Sequence, residues 1–376
     1  MVAKISVGNS LYGAIAYNGE KINEAQGRLL TTNRIYNDGS GTVDIGKAME
    51  GFLTFLPPQM KIEKPVVHIS LNPHPEDVLT DIELQNIGRT IALEAGIPET
   101  VCAHSINMVC GSGLRSVMEA VMSIQAGFND IVLAGGVESM SLAPYLVPAN
   151  TRSGNKMGNW QAVDHMIYDA LTDARANIHM GITAENIAAK FTITREQQDE
   201  FAFASQQKAI AAIDAGKFKN EIVPITIHNK KGDIVFDTDE FPNRTTNLEK
   251  LAKLKPAFKG DGTVTAGNAS GINDGASFVL IASEAAVKKY NLKPIAEIVG
   301  IGQGGVDPLV MGLGPVPAIR NALNYASLKL SDMELIELNE AFAAQSLGVI
   351  HELVREHGVD RDALLKRTNV NGGASP

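Results

Sequence analysis

Residues 106–136 read INMVCGSGLRSVMEAVMSIQAGFNDIVLAGG, and the succession of patterns in them decides the fold class. An apolar run, Ile106 to Val109 broken by Asn107, leads into Cys110-Gly111-Ser112-Gly113. Leu114, Val117, Met118, Val121 and Met122 then recur at helical spacing, and Gly127 ends the helix. Ile131 to Ala134 is a short β-rich run that Gly135-Gly136 close. Strand, turn, helix and strand in that order predict an α/β layered core.

The same alternation continues outward. Pro65 to Leu71 (PVVHISL) reads as a buried strand, ended by Asn72-Pro73-His74-Pro75. Upstream, Asn37–Gly41 is a turn cluster. Val43, Met49, Phe52, Leu53 and Leu56 follow helical spacing up to Pro57-Pro58. Downstream, Thr194-Arg195-Glu196-Gln197 is a capping box that opens a helix closed by Gly216. Residues 260–275 (GDGTVTAGNASGINDG) are loops or tightly packed backbone. Leu335–Leu338 reads as a strand. From Ala341 a helix follows, with Phe342, Leu347, Ile350 and Val354 on one side.

Composition narrows the function classes. The chain has 376 residues, 44% hydrophobic and 20% charged, which suits a folded globular protein of two or three domains, or one large α/β unit with insertions. Its net charge of −9, without a block of like charges, makes a nucleic-acid partner an unpromising reading. Two cysteines, Cys102 and Cys110, exclude a disulfide framework and point to a reducing compartment. No basic segment followed by an apolar run opens the chain, and no apolar run reaches the ~18 residues that span a bilayer. A soluble, cytoplasmic protein without a membrane partner is expected. The eight histidines show no H-x-H or HExxH spacing, so no metal site is expected. Phosphate-cradling glycine fingerprints are absent too.

Two places carry chemistry. Cys110 falls at a strand-to-helix turn, where helix dipole and free N–H groups favour a thiolate and glycines admit a substrate. The alternative is a small buried structural thiol. Asn339-Glu340 ends a strand and precedes a helix, where ligands gather in α/β sheets; an ordinary helix cap is the alternative. His179, before a helix, reads on its own as a solvent-facing histidine.

From Gln85 to Ala374 the chain resembles the thiolases, specifically acetyl-CoA acetyltransferases. The carriers are NMVCGSGL around Cys110, LAGGVESMS at 133–141, HMGITAENIA at 179–188 and LAKLKPAF at 251–258. GTVTAGNASGINDGA at 262–276, GVDPLVMGLGPVPA at 305–318, LIELNEAFAAQ at 335–345 and NVNGGA at 369–374 complete them. The resemblance implies a layered αβαβα fold with a loop domain at about 139–258, inserted in a first half at 85–285 and followed by a second half at 286–376. It implies acyl transfer through a Cys110 thioester, with two acetyl-CoA condensed or acetoacetyl-CoA cleaved. Asn339 matches a residue that holds a water in one oxyanion hole, and the Cys110 N–H matches part of another. Leu171, His179, Met180, Ala257, Phe258, Ser270, Met311 and Phe342 match positions lining the pantetheine or acyl pocket. The coenzyme A thioester is substrate, no separate cofactor is implied, and the family forms homo-oligomers.

Two departures shape the expectations. The chain stops after NVNGGASP, before the family's Gly-His-Pro and Cys-x-Gly segments, so an incomplete fold and impaired condensation are expected. Residues 1–84 resemble instead the N-terminus of relaxases, mobilisation proteins of Bacteroides-type elements. The text is MVAKISVGNSLYGAIAYNGEKINE at 1–24, LTTNRIYN at 30–37 and KPVVHISLNPHPEDVLTD at 64–81. Tyr12 and Tyr17 are both candidates for the relaxase tyrosine. Seven Lys/Arg against ten Asp/Glu in this stretch give no help to DNA binding. A chimera joined near Gln85–Arg89 is expected, with residues 1–84 a foreign α+β segment, loosely docked and outside the sheet that holds Ile131–Ala134. Uncovered apolar faces should result. An inactive coenzyme A-binding fragment, or a relaxase led by its N-terminus, are the alternatives.

Overall fold

A computed structural model of the chain describes residues 65–69, 95–148, 153–154, 157–229 and 231–374, the first of these as backbone alone. The readings placed on Tyr12, Tyr17, Asn37–Gly41, Val43–Leu56 and Asn72–Pro75 lie outside them. The strands are β1 (Pro65–Ile69), β2 (Ala103–Ser105), β3 (Ile131–Ser139), β4 (Tyr145–Leu146), β5 (Val163–Asp164), β6 (Ile225–Ile227), β7 (Ile234–Phe236) and β8 (Asp274–Ala282). The α-helices are α1 (Ser112–Gln125), α2 (Met180–Phe191), α3 (Arg195–Asp214), α4 (Leu248–Ala252), α5 (Glu284–Tyr290), α6 (Pro315–Ala326), α7 (Ala343–His357) and α8 (Arg361–Arg367). Two compact units result. Among the described residues, one takes those up to Asp164, Val223–Asp237 and Asn273–Glu297; the other takes His165–Ile222, Thr238–Ile272 and those from Ile298 on.

The first unit is built on a four-stranded sheet of order β2-β1-β3-β8. β1 runs parallel to both its neighbours, and β8 runs antiparallel to β3. Neighbouring side chains of a strand point to opposite faces. Val132 and Ala134 of β3 pack on Ala120 of α1, while Ile131 packs on Ala286 and Tyr290 of α5. The sheet therefore carries a helix on each face, as the α/β reading requires.

Three expectations are corrected here. β1 lies between β2 and β3, so the segment before residue 85 does contribute a strand to the sheet that holds Ile131–Ala134. β3 does not close at Gly135-Gly136 but pairs with β8 through Ser139. The glycine at 135 answers a close approach instead: a Cβ there would lie 2.4 Å from the Phe278 ring and 2.3 Å from the Ser277 carbonyl oxygen. In α1 the buried face is Ser112, Ser116, Ala120 and Val121, whereas Leu114 and Met122 are exposed. Small residues at i, i+4 and i+8 let the helix lie close enough for the Ser116 hydroxyl to donate to the Gly135 carbonyl at 3.0 Å. β8 leaves Phe278, Val279 and Leu280 exposed.

The second unit is helical around α7. Ala343 to Ile350 are buried without a break, the mark of a helix surrounded on all sides. Val349, Ile350 and Leu353 join Ile187 of α2, Leu313, Val316 and Leu323 near and in α6, and Leu364 of α8 in one core. The capping box at Thr194 is present, with Gln197 reciprocating, and Gly216 at φ 67° follows the end of α3. Leu335–Leu338 is not a strand: it pairs only through an isolated bridge between Ile336 and Thr368, and Leu335 is exposed. α7 begins at Ala343, two residues later than expected, because Phe342 stays extended at φ −147°.

Candidate active site

Cys110 stands in the first unit, on the turn between β2 and α1. The strand ends at Ser105, so the apolar run 106–109 is the turn itself. Ser112 braces it: its Oγ donates to the Val109 carbonyl at 2.7 Å and accepts from the Met108 N–H at 2.8 Å. The N–H groups of Gly111 and Ser112 close back on Met108 and Val109 at 3.0 and 3.1 Å. Val109 is thereby held at φ 49°, a conformation that costs a β-branched residue about 1–3 kcal/mol. Such strain presents the next side chain outward, and Cys110 is exposed, which removes the reading of a buried core thiol. The helix dipole alone predicts a lowered thiol pKa. The structure corrects this: crowding by surrounding chain, which desolvates the sulfur without sealing it off, pushes the thiol up. The residue's own N–H faces the sulfur and opposes this, and the Glu138 charge adds to it.

Nine other expected residues belong to the second unit, and most meet around one aromatic array. His179 caps α2, its Nδ1 accepting the Gly181 N–H at 3.0 Å. That bond leaves the imidazole neutral, and burial holds its pKa below the ordinary histidine value. The ring stacks on Phe258 with centroids 4.6 Å apart, and Phe258 meets Phe342 edge-on at 6.0 Å. A Cβ at Gly181 would lie 2.2 Å from the Phe258 ring, so only glycine admits this stack unmoved. Leu171 accepts the Met180 N–H at 2.8 Å. Ala257, beside Phe258, donates its N–H to Val264 at 2.9 Å. Ser270 donates its N–H to Ala341 at 2.9 Å, next to the bridge between Ala269 and Phe342. Met311 sits apart, exposed on the turn Pro308–Leu313. Asn339 is exposed between buried Leu338 and buried Glu340.

Sequence reasoning missed the polar scaffold beneath this array. Glu185 of α2, 8% exposed, accepts Thr263 N–H and Val264 N–H on Oε1, both at 2.8 Å, and the Thr263 hydroxyl on Oε2 at 3.0 Å. Asp199 of α3 pairs with Arg195 at 2.7 Å and accepts from Asn268 at 2.9 Å. Together they hold the glycine-rich 262–271 stretch. The available signal was in α3, whose buried positions are Gln198, Asp199, Ala202, Ser205, Gln206 and Ala212. A long helix with polar and small residues at helical spacing, where an apolar stripe belongs, announces a buried network.

Among the described residues no group of three or more His, Cys, Asp or Glu side chains could hold a metal ion, and no helix is long and apolar enough to cross a membrane. The family models for the thiolase N-terminal and C-terminal domains match residues 75–285 and 292–375. The chain belongs to the thiolase family. It is 53% identical over 298 residues to an acetyl-CoA acetyltransferase of Chromobacterium violaceum, covering 79% of this chain and 74% of that one. Its fold is similar to that of the acetyl-CoA acetyltransferase from Syntrophomonas wolfei, with TM-score 0.77 and 41% identity over 87% of this chain and 79% of the other. It is also similar to human mitochondrial 3-ketoacyl-CoA thiolase solved in complex with CoA, with TM-score 0.74 and 42% identity over 87% and 77% of the two chains. The thiolase α/β fold therefore covers the sheet, Cys110 and the aromatic array alike.

Proposed function

We propose that the chain is an acyltransferase of the acetyl-CoA C-acetyltransferase type, with a coenzyme A thioester as substrate. The observation that carries this is an exposed Cys110 on a strained, hydroxyl-braced turn directly before α1. The Cys110 thiolate attacks the thioester carbonyl. A new carbon–sulfur bond forms, the bond to the coenzyme A sulfur breaks, and the departing coenzyme A thiolate takes up the proton that the Cys110 thiol gave up. One thioester replaces another, so the acyl group is kept ready for a second acceptor. We assign the Cys110 N–H to one developing oxyanion, and to the Asn339 amide the holding of a water that donates to the other. His179, Phe258 and Phe342, with Leu171, Met180, Ala257, Ser270 and Met311, form the acyl and pantetheine lining. A neutral, stacked imidazole suits that apolar role better than a charged one.

We further read the protein as a cytoplasmic homo-oligomer, and residues 1–84 as a segment of different origin. We set the join near Gln85–Arg89; the match to the thiolase N-terminal domain begins somewhat earlier, at residue 75. One continuous genomic read across codons 70–95 tests it, and an unbroken frame in a single DNA molecule would confirm that the fused gene exists. For the activity, purified protein is given acetoacetyl-CoA and coenzyme A, and acetyl-CoA is followed. Thiolysis that Cys110→Ala abolishes supports the reading. Binding of coenzyme A without any acyl transfer would leave an inactive binding chain instead.

A further inference from the structure

Asn339 is exposed, yet the backbone on each side of it is fastened by buried polar groups. Upstream, Ile336 N–H donates to Arg367 and Asn369 N–H donates to Ile336, at 2.9 and 2.8 Å. The Asn369 side chain then extends this pairing by one residue: its Oδ1 accepts Leu338 N–H and its Nδ2 donates to the Leu338 carbonyl, both at 2.8 Å. Downstream stands Glu340, 2% exposed. Its Oε1 accepts from Asn369 Nδ2 at 2.6 Å and its Oε2 from the Ser205 hydroxyl of α3 at 2.6 Å. Ser205 Oγ also accepts the Gly373 N–H at 2.9 Å. Gly373 is small for this purpose, since a Cβ would lie 2.4 Å from the Glu340 carboxyl carbon. Beyond it, Ala341 and Ala343 are tied to Ser270 and Asn268 at 2.9 Å each.

We propose that Glu340 is a positioning residue for Asn339: its buried carboxylate, shared between Ser205 and Asn369, fixes the peptide that aims the Asn339 amide. This rests on the oxyanion role given to Asn339 above. A buried carboxylate is a costly way merely to fill a helix-facing space, and it is retained here with two short, charge-assisted bonds. Oxyanion donors work because they do not reorganise during the reaction. An exposed asparagine has no packing of its own to hold it, so its backbone must be held instead.

The test uses the full chain with Glu340→Gln, Ser205→Ala, Asn339→Ala and the double variant Asn339→Ala/Glu340→Gln. Hydrogen exchange by mass spectrometry is read on peptides covering 335–343 and 367–373, with 346–354 of α7 as internal reference. Glu340→Gln should speed exchange in the first two about tenfold or more and leave the reference unchanged, and Ser205→Ala should follow the same pattern more weakly. In thiolysis, Glu340→Gln should lower kcat by about 10–100-fold with KM held within about twofold. The double variant should be no slower than Asn339→Ala within about twofold, because Glu340 acts only through Asn339. Uniformly faster exchange that includes the α7 reference, unchanged exchange at 335–343, or multiplicative losses in the double variant would each overturn the proposal. A wild-type chain without any acyl transfer would instead defeat the proposed function, and the exchange pattern would still decide whether Glu340 holds Asn339.

Discussion

Replacing Glu185 by glutamine and by alanine separates what its carboxylate does from what its bulk does. Oε1 takes two backbone N–H groups at 2.8 Å, and Oε2 takes the Thr263 hydroxyl at 3.0 Å with a second, longer approach from the Thr263 N–H at 3.0 Å. A glutamine can turn its carbonyl oxygen toward the two N–H groups and its amide toward the hydroxyl, which can accept. It loses charge assistance and the Oε2 acceptor of the Thr263 hydroxyl, about 1–2 kcal/mol. Alanine leaves Thr263 and Val264 N–H groups with no acceptor beside a side chain that is 8% exposed. At about 1–3 kcal/mol per unsatisfied buried donor, less a few tenths for better helix propensity, the loss is about 2–5 kcal/mol. For a chain of 376 residues the shift in Tm is roughly 1–2 °C per kcal/mol. Differential scanning calorimetry should therefore rank wild type, Glu185→Gln and Glu185→Ala in that order, with the alanine variant the furthest down. Equal losses would refute the reasoning, since they would mean that the oxygens facing 263–264 are not what matters; so would an alanine variant as stable as the wild type.

Gly135→Ala should lower stability by about 1–3 kcal/mol by forcing β8 away from β3, measured by urea unfolding; a neutral result would contradict the close approach of Phe278. His179 has its pKa lowered by burial, so between its folded value and about 6.5 the unfolded chain binds a proton that the folded chain refuses. The stability it contributes is complete above about pH 6.5 and is lost as pH falls below that; His179→Asn, which can keep the cap on Gly181, should flatten this slope in Tm measured against pH. Cys110 has its pKa raised, so its iodoacetamide alkylation should climb with pH to a midpoint above that of a free thiol, and Glu138→Gln should move the midpoint down. A midpoint below the free-thiol value would reverse the electrostatic account of the turn.

The fold class was legible because β3 and α1 follow local rules. A β-rich run and a helical period do not depend on distant residues. The start of α3 was legible for the same reason, as a capping box is written in four consecutive residues. What failed depended on partners. Gly135 looks like a turn until Phe278 is set against it, and Leu114 looks like core until Ser112, Ser116 and Ala120 are seen to carry the contact. Leu335–Leu338 has the composition of a strand, but Asn369 offers it a side chain in place of a neighbouring strand. The site divides in the same way. Cys110 could be found from its turn, whereas His179, Phe258 and Phe342 come from three distant segments, and only the family resemblance named them together. Glu185 was hidden because a buried polar residue carries no local mark of the donor it awaits, while Asp199 and Ser205 showed only as polar residues at the helical spacing of α3.

The central claim is that Cys110 accepts the acyl group. The direct measurement is incubation of the chain with isotope-labelled acetyl-CoA, followed by peptide mapping under conditions that preserve thioesters. The account predicts label on the peptide containing Cys110, released by hydroxylamine and absent from Cys110→Ser. Label on Cys102, or equal labelling of the Cys110→Ser variant, would contradict it.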